Sequence, residues 1–230
     1  MQVDIVSDPE AVARAAARFI AAQAGDAIAA RGRFNFAVSG GHTPWAMLRE
    51  LASLPMDWTN VVLFQVDERV APPGDDSRNL THIRESLLDR VPIPRENVHA
   101  MPVEQNDLGA AAAHYAQALA SAAGTPPVLD LVHLGLGPDG HTASLVPDDP
   151  VLNEDYADVA VTEPYMGQRR MTLTYPILNR SRCVLFVVDG APKVAALAAL
   201  RRGDPRIPAS HVTGQRSVVI ADAAAAGAAA

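Results

Sequence analysis

The sequence is poor in lysine and cysteine. Its 19 basic residues comprise 18 arginines and one lysine, Lys193. With a single cysteine, Cys183, the chain cannot form an internal disulfide, which agrees with a reducing compartment. Cys183 begins the apolar run CVLFVV, and burial raises the pKa of a thiol and suppresses its reactivity. We therefore interpret Cys183 as a buried strand residue and not as a nucleophile.

The sequence also lacks the features of membrane proteins and of nucleic-acid-binding proteins. No apolar run approaches the roughly 18 residues needed to span a bilayer, and the first ten residues carry acids in place of a basic segment. The net charge of −7 argues against a nucleic-acid partner, whose phosphates require a basic surface. We expect a cytoplasmic protein with neither a membrane nor a nucleic-acid partner. Any anionic ligand must therefore meet a local cluster of positive charge.

The chain contains short apolar runs that alternate with longer helical patterns. This alternation predicts an α/β fold with three layers, in which a doubly wound, largely parallel sheet carries helices on both faces. Strands are predicted at residues 3–6, 34–38, 61–66, 129–134, 159–162, 171–174, 183–188 and 218–220, with a short one near residue 98. Helices are predicted at residues 9–24, 44–54, 80–90, 107–122 and 192–202.

The domain organisation is expected to be simple. The chain has no internal repeat and no long flexible linker, so residues 1–222 are predicted to form a single domain. The alanine-rich tail, residues 223–230, has low complexity and is expected to fray.

Four predicted strand ends carry polar motifs, with the sequences SGGHTP, DER, GPDGH and GAPK. In an open α/β sheet, ligands bind outside the carboxyl ends of the strands, where loops lead into helices. The four motifs are therefore expected to meet at one edge of the sheet.

The SGGHTP motif has the composition of an anion-binding turn. Gly40 and Gly41 allow close backbone approach, and Thr43 is predicted to cap a helix that begins at Pro44. Free N–H groups at such a helix start attract phosphate. No GK[ST] follows and Ala37 replaces the first glycine of a nucleophile elbow, so Ser39 is interpreted as a phosphate ligand. A plain tight turn without a ligand is the alternative.

Three basic residues are candidates for gripping the same anion. Lys193 is predicted in the first turn of a helix, where the dipole disfavours cations, which suggests a need for a compact charge there. Arg69 and Arg170 lie at predicted strand ends and can bind phosphate through two donors each. Chance placement on the surface is the alternative for each residue.

The GLGPDGHTAS loop contains the candidate catalytic pair. Its glycines spell GxGxxG after a strand, but Pro138 stiffens the turn and Pro147 halts any following helix, which disfavours a dinucleotide site. The glycines instead expose Asp139 and His141. Histidine titrates near neutrality and serves as a general base, while a carboxylate two residues away fixes its tautomer or orients water. The other histidines lack the spacing of zinc ligands, so no metal and no cofactor are predicted.

Taken together, these motifs resemble the 6-phosphogluconolactonase family, which is similar in fold to the glucosamine-6-phosphate deaminases and isomerases. The matching stretches span residues 38–210 and read VSGGHTP, VDERVAPPGDDSRN, LGLGPDGHTASLVP, RRMTLTYPILN, GAPK and IPAS. His42 departs from the family, which often has serine there, and residues 146, 148 and 149 depart around Pro147.

The resemblance implies a function and a set of site residues. It implies hydrolysis of 6-phospho-D-glucono-1,5-lactone to 6-phospho-D-gluconate, with a phosphorylated sugar lactone as the only ligand of a monomer or small homo-oligomer. His141 is implied to activate water with help from Asp139. The residues implied to bind substrate, mostly through its phosphate, are Ser39, Gly40, Gly41, Thr43, Asp67, Arg69, Arg170 and Lys193.

One mechanistic detail and two alternatives accompany this interpretation. Backbone N–H groups of the turn at residues 137–140 are expected to stabilise the oxyanion that develops on the lactone carbonyl. An amino-sugar-phosphate deaminase or isomerase would share the phosphate site, but such enzymes continue the GPDGH motif with Phe, Asn, Glu and Pro, whereas this chain continues with TASLVP. A non-catalytic sugar-phosphate sensor would need the phosphate site without His141.

Overall fold

The structure is a computed structural model that describes residues 1–227. Within that range the strands are β1 (Gln2–Val6), β2 (Phe34–Val38), β3 (Val61–Gln65), β4 (Asp67–Arg69), β5 (Val98–His99), β6 (Leu131–Leu134), β7 (Val159–Val161), β8 (Arg170–Leu173), β9 (Val184–Val188) and β10 (Ser217–Asp222). The α-helices are α1 (Pro9–Arg31), α2 (His42–Ala52), α3 (Asn79–Ser86), α4 (Leu108–Ala123), α5 (Tyr175–Arg180) and α6 (Val194–Arg202). In these residues no helix is long and apolar enough to cross a membrane.

Seven strands form a parallel sheet in the order β1-β10-β9-β6-β2-β3-β5. Alternating residues of β9 belong to two separate apolar clusters: Leu185 packs with α1, α2 and α3, and Phe186 packs with α4, α5 and α6. Because both faces of the sheet are covered by helices, the predicted three-layer, largely parallel α/β fold is confirmed.

A second, smaller sheet was not predicted. It has the order β4-β8-β7, is antiparallel, and pairs Arg69 with Arg170 and Asp67 with Thr172. The sequence analysis predicted no strand at residues 67–69, since three residues that read DER have no apolar alternation. Helix α5 was missed as well, because its six residues are too few for a periodic pattern.

Helix α1 starts as predicted but ends later. Asp8 accepts a 2.8 Å hydrogen bond from the N–H of Ala11, with Pro9 in the first turn. The predicted end near residue 24 is wrong, because the helix continues to Arg31 and stops at Gly32 with φ 75°. Gly25 lies inside the helix and does not end it, since the buried Ala24 and Ala27 hold that turn against the core.

The start of α2 also differs from its prediction. The helix begins at His42 after Gly41, whose φ of 124° suits only glycine, so Thr43 does not cap it. The Thr43 hydroxyl instead donates to Oδ1 of Asp189 at 2.5 Å, after β9. A contact between residues so distant in sequence leaves no local signal.

The last described residues are packed more tightly than predicted. The Asp222 carboxylate at the end of β10 accepts a 2.7 Å hydrogen bond from the N–H of Ala225, whose side chain is buried. The predicted fraying therefore does not apply to Ala225. Residues 228–230 of the predicted tail lie outside the described residues.

Candidate active site

The four predicted strand-end motifs meet at one cavity of about 380 Å³ at the carboxyl edge of the main sheet. It is lined by His141 and by every residue predicted to bind substrate: Ser39, Gly40, Gly41, Thr43, Asp67, Arg69, Arg170 and Lys193. Asp139 lies behind His141. The convergence follows from the fold, because β2, β3, β6 and β9 are parallel neighbours and their carboxyl ends share one edge.

Gly40 and Gly41 are required in the anion-binding turn for different reasons. A Cβ on Gly40 would lie 1.9 Å from Oδ1 of Asn79, and Gly41 has φ 124°. Among the described residues, no acceptor pairs with the N–H group of either glycine. These free donors precede the N-terminus of α2, so the turn has the polarity of a phosphate site.

Ser39 is held by a buried histidine. Its hydroxyl donates to the His133 carbonyl oxygen at 3.1 Å, and its N–H donates to Nδ1 of His133 at 3.3 Å. Complete burial lowers the pKa of His133 to about 3, so the ring is neutral and able to accept. The Ser39 proton is thus already engaged, and the hydroxyl can donate to a phosphate only by giving up that bond.

Lys193 lines the same cavity as the anion-binding turn. Burial lowers the pKa of its ammonium, while the charges of Asp189 and Asp139 act in the opposite direction. Lys193 ends the short helical turn Ala191–Lys193. Gly190, which precedes this turn, donates its N–H to the buried Asp222 carboxylate at 3.0 Å and so fixes the turn's position. Asp189 is a pocket residue that the sequence analysis missed, since an acid beside a phosphate site gives no recognisable motif.

Arg69 and Arg170 lie side by side because the second sheet pairs them. Nη1 of Arg69 donates to the Ser77 carbonyl at 3.0 Å and to Oδ1 of Asn79 at 2.5 Å. Arg170 is only 7% exposed and its Nε has no partner among the described residues. Burial and then the charge of Arg69 lower the pKa of Arg170, although Asp67 acts in the opposite direction. A half-buried and a buried cation side by side, with a free donor, make a strong anion site.

Glu68, between the two strand residues predicted to bind substrate, organises this part of the pocket. It is fully buried and pairs with Nε of Arg78 at 3.2 Å. Its carboxylate also accepts four hydrogen bonds of 2.7–2.8 Å, from Nε2 of Gln65 and from the N–H groups of Arg69, Asn79 and Leu80. Glu68 therefore fixes both the Arg69 backbone and the start of α3. The sequence analysis missed this role and that of Asn79, because both arise from contacts across a loop.

Asp67 lines the cavity, but its carboxylate is already engaged. It accepts a 2.6 Å hydrogen bond from Ser144 and a 3.3 Å hydrogen bond from Asn79. Its charge also interacts favourably with the Arg170 guanidinium. These contacts suit a support for Arg170 better than a direct ligand of an anionic group.

His141 and Asp139 form the pair that their spacing predicts. Nδ1 of His141 lies 2.6 Å from Oδ1 of Asp139, and the His141 N–H donates to the same oxygen at 3.2 Å. Partial burial tends to raise the pKa of Asp139, but the hydrogen bond from the His141 amide and the His141 charge outweigh it and lower that pKa. The carboxylate thereby holds the proton on Nδ1, which leaves Nε2 as the basic atom.

The expected oxyanion site in the turn at residues 137–140 is wrong. The N–H of Gly137 donates to the His141 carbonyl at 2.8 Å, and the N–H of Gly140 donates to the Gly137 carbonyl at 3.0 Å. Pro138 has no N–H, and Asp139 is not among the residues that line the cavity. The N–H groups of Gly137 and Gly140 are engaged in hydrogen bonds within the turn, so positively charged side chains must stabilise the oxyanion instead.

The dinucleotide interpretation of GxGxxG finds no support in the structure. Residues 135–149 form turns and two isolated bridge residues, and no helix opens after Gly140. Gly137 is instead required by the catalytic pair, since a Cβ there would lie 2.2 Å from Nδ1 of His141. Within residues 1–227 there is also no group of three or more His, Cys, Asp or Glu side chains arranged to hold a metal ion.

Comparison with known proteins places these features in a family. Residues 7–220 match the family model described as glucosamine-6-phosphate isomerases/6-phosphogluconolactonase. The chain is 39% identical over 230 residues to a 6-phosphogluconolactonase of Mycobacterium tuberculosis, covering 94% of this chain and 93% of that protein. It is 38% identical over 200 residues to one of a Nostoc species, covering 85% and 83%.

A solved structure agrees with these sequence matches. The crystal structure of 6-phosphogluconolactonase from Thermotoga maritima superimposes with a TM-score of 0.87 at 28% identity, covering 96% of this chain and 99% of that chain. With its fold and most of its length matched, the chain belongs to the glucosamine-6-phosphate isomerase/6-phosphogluconolactonase family.

Proposed function

We propose that this protein hydrolyses 6-phospho-D-glucono-1,5-lactone to 6-phospho-D-gluconate. One observation carries the proposal: an imidazole held by a carboxylate faces the same cavity as a glycine turn with free N–H groups and three cations. The relatives that match most of the chain are 6-phosphogluconolactonases, which agrees with this choice.

The phosphate end of the substrate is assigned to the cationic side of the cavity. The N–H groups of Gly40 and Gly41, the N-terminus of α2 and the ammonium of Lys193 hold the phosphate. The Thr43 hydroxyl lines the same cavity and can donate to the phosphate only by giving up its bond to Asp189. Arg170 is supported by Asp67 and offers its unpaired Nε to the substrate. Anchoring the remote phosphate fixes the lactone ring over His141, which is the main benefit of such binding.

The chemical step requires one base and one source of positive charge. Nε2 of His141 removes a proton from a water molecule, whose oxygen attacks the lactone carbonyl carbon. The negative charge that develops on the carbonyl oxygen is stabilised by Arg69 and Arg170, because the N–H groups of Gly137 and Gly140 are engaged within their own turn. General-base catalysis of this kind contributes a rate factor of about 10² to 10⁴.

Ring opening returns the proton. The tetrahedral intermediate collapses, the bond between the carbonyl carbon and the ring oxygen breaks, and the His141 imidazolium gives its proton to that oxygen. The new carboxylic acid ionises and leaves as 6-phospho-D-gluconate. The proposed steps need no metal and no covalent intermediate.

The decisive experiment generates the lactone in place. A glucose-6-phosphate dehydrogenase produces fresh 6-phosphogluconolactone from glucose 6-phosphate, and acid release is followed with and without the protein. Acceleration by wild-type protein and its loss in His141→Ala support the proposal. The proposal is wrong if wild-type protein leaves the uncatalysed rate unchanged.

The same preparation tests the alternatives. The family description includes glucosamine-6-phosphate isomerases, but no acid follows Asp139 in this chain before Asp148. Ammonia release from glucosamine 6-phosphate would support that activity instead. Tight binding of 6-phosphogluconate without lactone hydrolysis would support a sensor. A cytoplasmic location and a monomeric or small homo-oligomeric state stay predictions from the sequence.

A further inference from the structure

Tyr165 contacts both halves of the proposed machinery and has no role in the mechanism above. It lies in the connection between β7 and β8, residues 162–169. A hairpin fixes it there: the Tyr165 N–H donates to the Gln168 carbonyl at 3.0 Å across a two-residue turn in which Met166 has φ 51° and Gly167 has φ 82°. Positive φ at both central residues is the geometry of a tight hairpin turn.

The Tyr165 hydroxyl contacts the catalytic carboxylate. It donates to Oδ2 of Asp139 at 3.3 Å, while Oδ1 of the same carboxylate bonds to His141. The tyrosine ring also meets the imidazole edge to face, with ring centroids 5.9 Å apart. Each oxygen of Asp139 thus has its own partner, and the carboxylate is fixed in the orientation that His141 requires.

The Tyr165 ring contacts the substrate-binding cation. Cζ of Arg170 lies 5.0 Å from the ring centroid, within the range of a cation–π interaction. Because Arg170 is nearly buried and its Nε is unpaired, the ring face restricts where the guanidinium can lie without using any of its donors.

We propose that Tyr165 is a positioning residue. Its hydroxyl holds the Asp139 carboxylate and so adjusts how strongly His141 binds a proton, and its ring holds the Arg170 guanidinium in place. The proposal rests on the proposed function and adds a residue that the motifs did not indicate. It makes two separable predictions, since hydroxyl and ring can be removed independently.

The direction of the hydroxyl effect follows from the charges around His141. Asp139 from its own loop and Tyr165 from the β7–β8 connection contact that ring, Arg170 of β8 lies over the Tyr165 ring, and the charge of Lys193 interacts with Asp139. The hydrogen bond from the Tyr165 hydroxyl partly neutralises the negative charge of Asp139. Without that hydroxyl, Asp139 attracts the His141 imidazolium more strongly. The protonated imidazole is then held more strongly, and the acid limb of the kcat/KM profile moves to higher pH.

The experiment compares Tyr165→Phe with Tyr165→Leu. Phe keeps the ring over Arg170, so the acid limb should rise by about half a pH unit with KM unchanged. Leu removes both contacts, so KM should in addition increase about 2- to 5-fold. Tyr156→Phe is the matched control: that side chain is 92% exposed and its hydroxyl has no partner among the described residues, so neither quantity should change.

A second readout does not depend on lactonase activity. The ring-proton NMR titration of His141 in the free protein should shift to higher pH in Tyr165→Phe and not in Tyr156→Phe. If wild-type protein hydrolyses the lactone but Tyr165→Phe leaves both titration and pH profile unchanged, the positioning role is wrong and the proposed function stands. If wild-type protein has no activity, the proposed function fails, and the NMR shift still tests the contact.

Discussion

Gly40 and Asn79 lie so close together that Gly40, the first glycine of the anion-binding turn, has no room for a side chain. A Cβ at Gly40 would lie 1.9 Å from Oδ1 of Asn79, the atom that also receives Nη1 of Arg69. A shift of Asn79 at the start of α3 therefore moves both the anion-binding turn and Arg69, so the positions of these three parts of the pocket are coupled.

Gly40→Ala is expected to raise KM at least 10-fold. The new methyl group must displace Asn79 and with it Arg69, so substrate positioning is lost although no charge is removed. Steady-state kinetics on fresh lactone measure the effect. Gly25→Ala is the matched control, because nothing lies within 4 Å of its added Cβ inside α1. Equal KM values for Gly40→Ala and wild type would contradict the packing argument.

Asp139→Asn is expected to lower kcat by roughly 10²-fold or more with little change in KM. An amide cannot stabilise the imidazolium, and its NH₂ group can face Nδ1 and reverse the tautomer. The hydrogen bond from the His141 N–H and the charge of His141 lower the pKa of Asp139 below its ordinary value, so the carboxylate is ionised near neutral pH. Any acid limb near neutrality therefore belongs to another group, and an unchanged kcat would speak against the pair.

Two Lys193 variants are expected to distinguish the effect of its positive charge on substrate binding from the effect of its side-chain shape. Lys193→Ala removes a cation from the phosphate side and should raise KM about 10-fold or more with a smaller effect on kcat. Lys193→Arg keeps the charge but not the compact ammonium and should fall between. The exposed Arg14→Ala on α1 is the control. Competition by inorganic phosphate should weaken in parallel, and an unchanged inhibition constant would refute the phosphate role.

Glu68→Gln is expected to destabilise the fold. The change leaves the Arg78 guanidinium buried opposite a neutral group, and breaking a buried pair in this way costs about 3–5 kcal/mol. Glu104→Gln removes the other carboxylate near Arg78, but that side chain is 40% exposed, so its effect should be smaller. Denaturant unfolding of both variants gives the comparison, and similar losses of unfolding free energy would show that burial is not decisive.

His133 is expected to make the protein less stable in acid. Burial lowers its pKa to about 3 in the folded chain, well below the ordinary histidine value of 6.5. Between these pH values the unfolded chain binds up to one more proton than the folded chain at this site, so stability decreases as the pH is lowered, by up to about 1.4 kcal/mol per pH unit. His133→Asn keeps an acceptor for Ser39 and should flatten this slope. An identical slope in denaturant unfolding would rule out the assignment.

The sequence was sufficient where the signal is local. The N-cap at Asp8, the parallel strands and the Asp139–His141 spacing all depend on residues close together in the chain, and each is present in the structure. The convergence of four strand ends followed from a general property of parallel sheets and not from any single motif.

The sequence was insufficient where distant segments meet. Thr43 looks like a helix cap, but its hydroxyl bonds to Asp189 on another strand. The pairing of Arg69 with Arg170 depends on a small antiparallel sheet whose strands are too short for a pattern. The free N–H groups expected at residues 137–140 are consumed by hydrogen bonds within the turn that positions His141, which only coordinates reveal.

The anchoring of the Lys193 turn by Asp222 has a consequence for synthesis of the chain. The N–H of Gly190 is held by a carboxylate on the last strand, while the glycines of the anion-binding turn lie near the beginning. A nascent polypeptide therefore presents an incomplete pocket until β10 has left the ribosome. Products of premature termination before residue 222 should then be inert toward sugar phosphates, however well their earlier strands assemble.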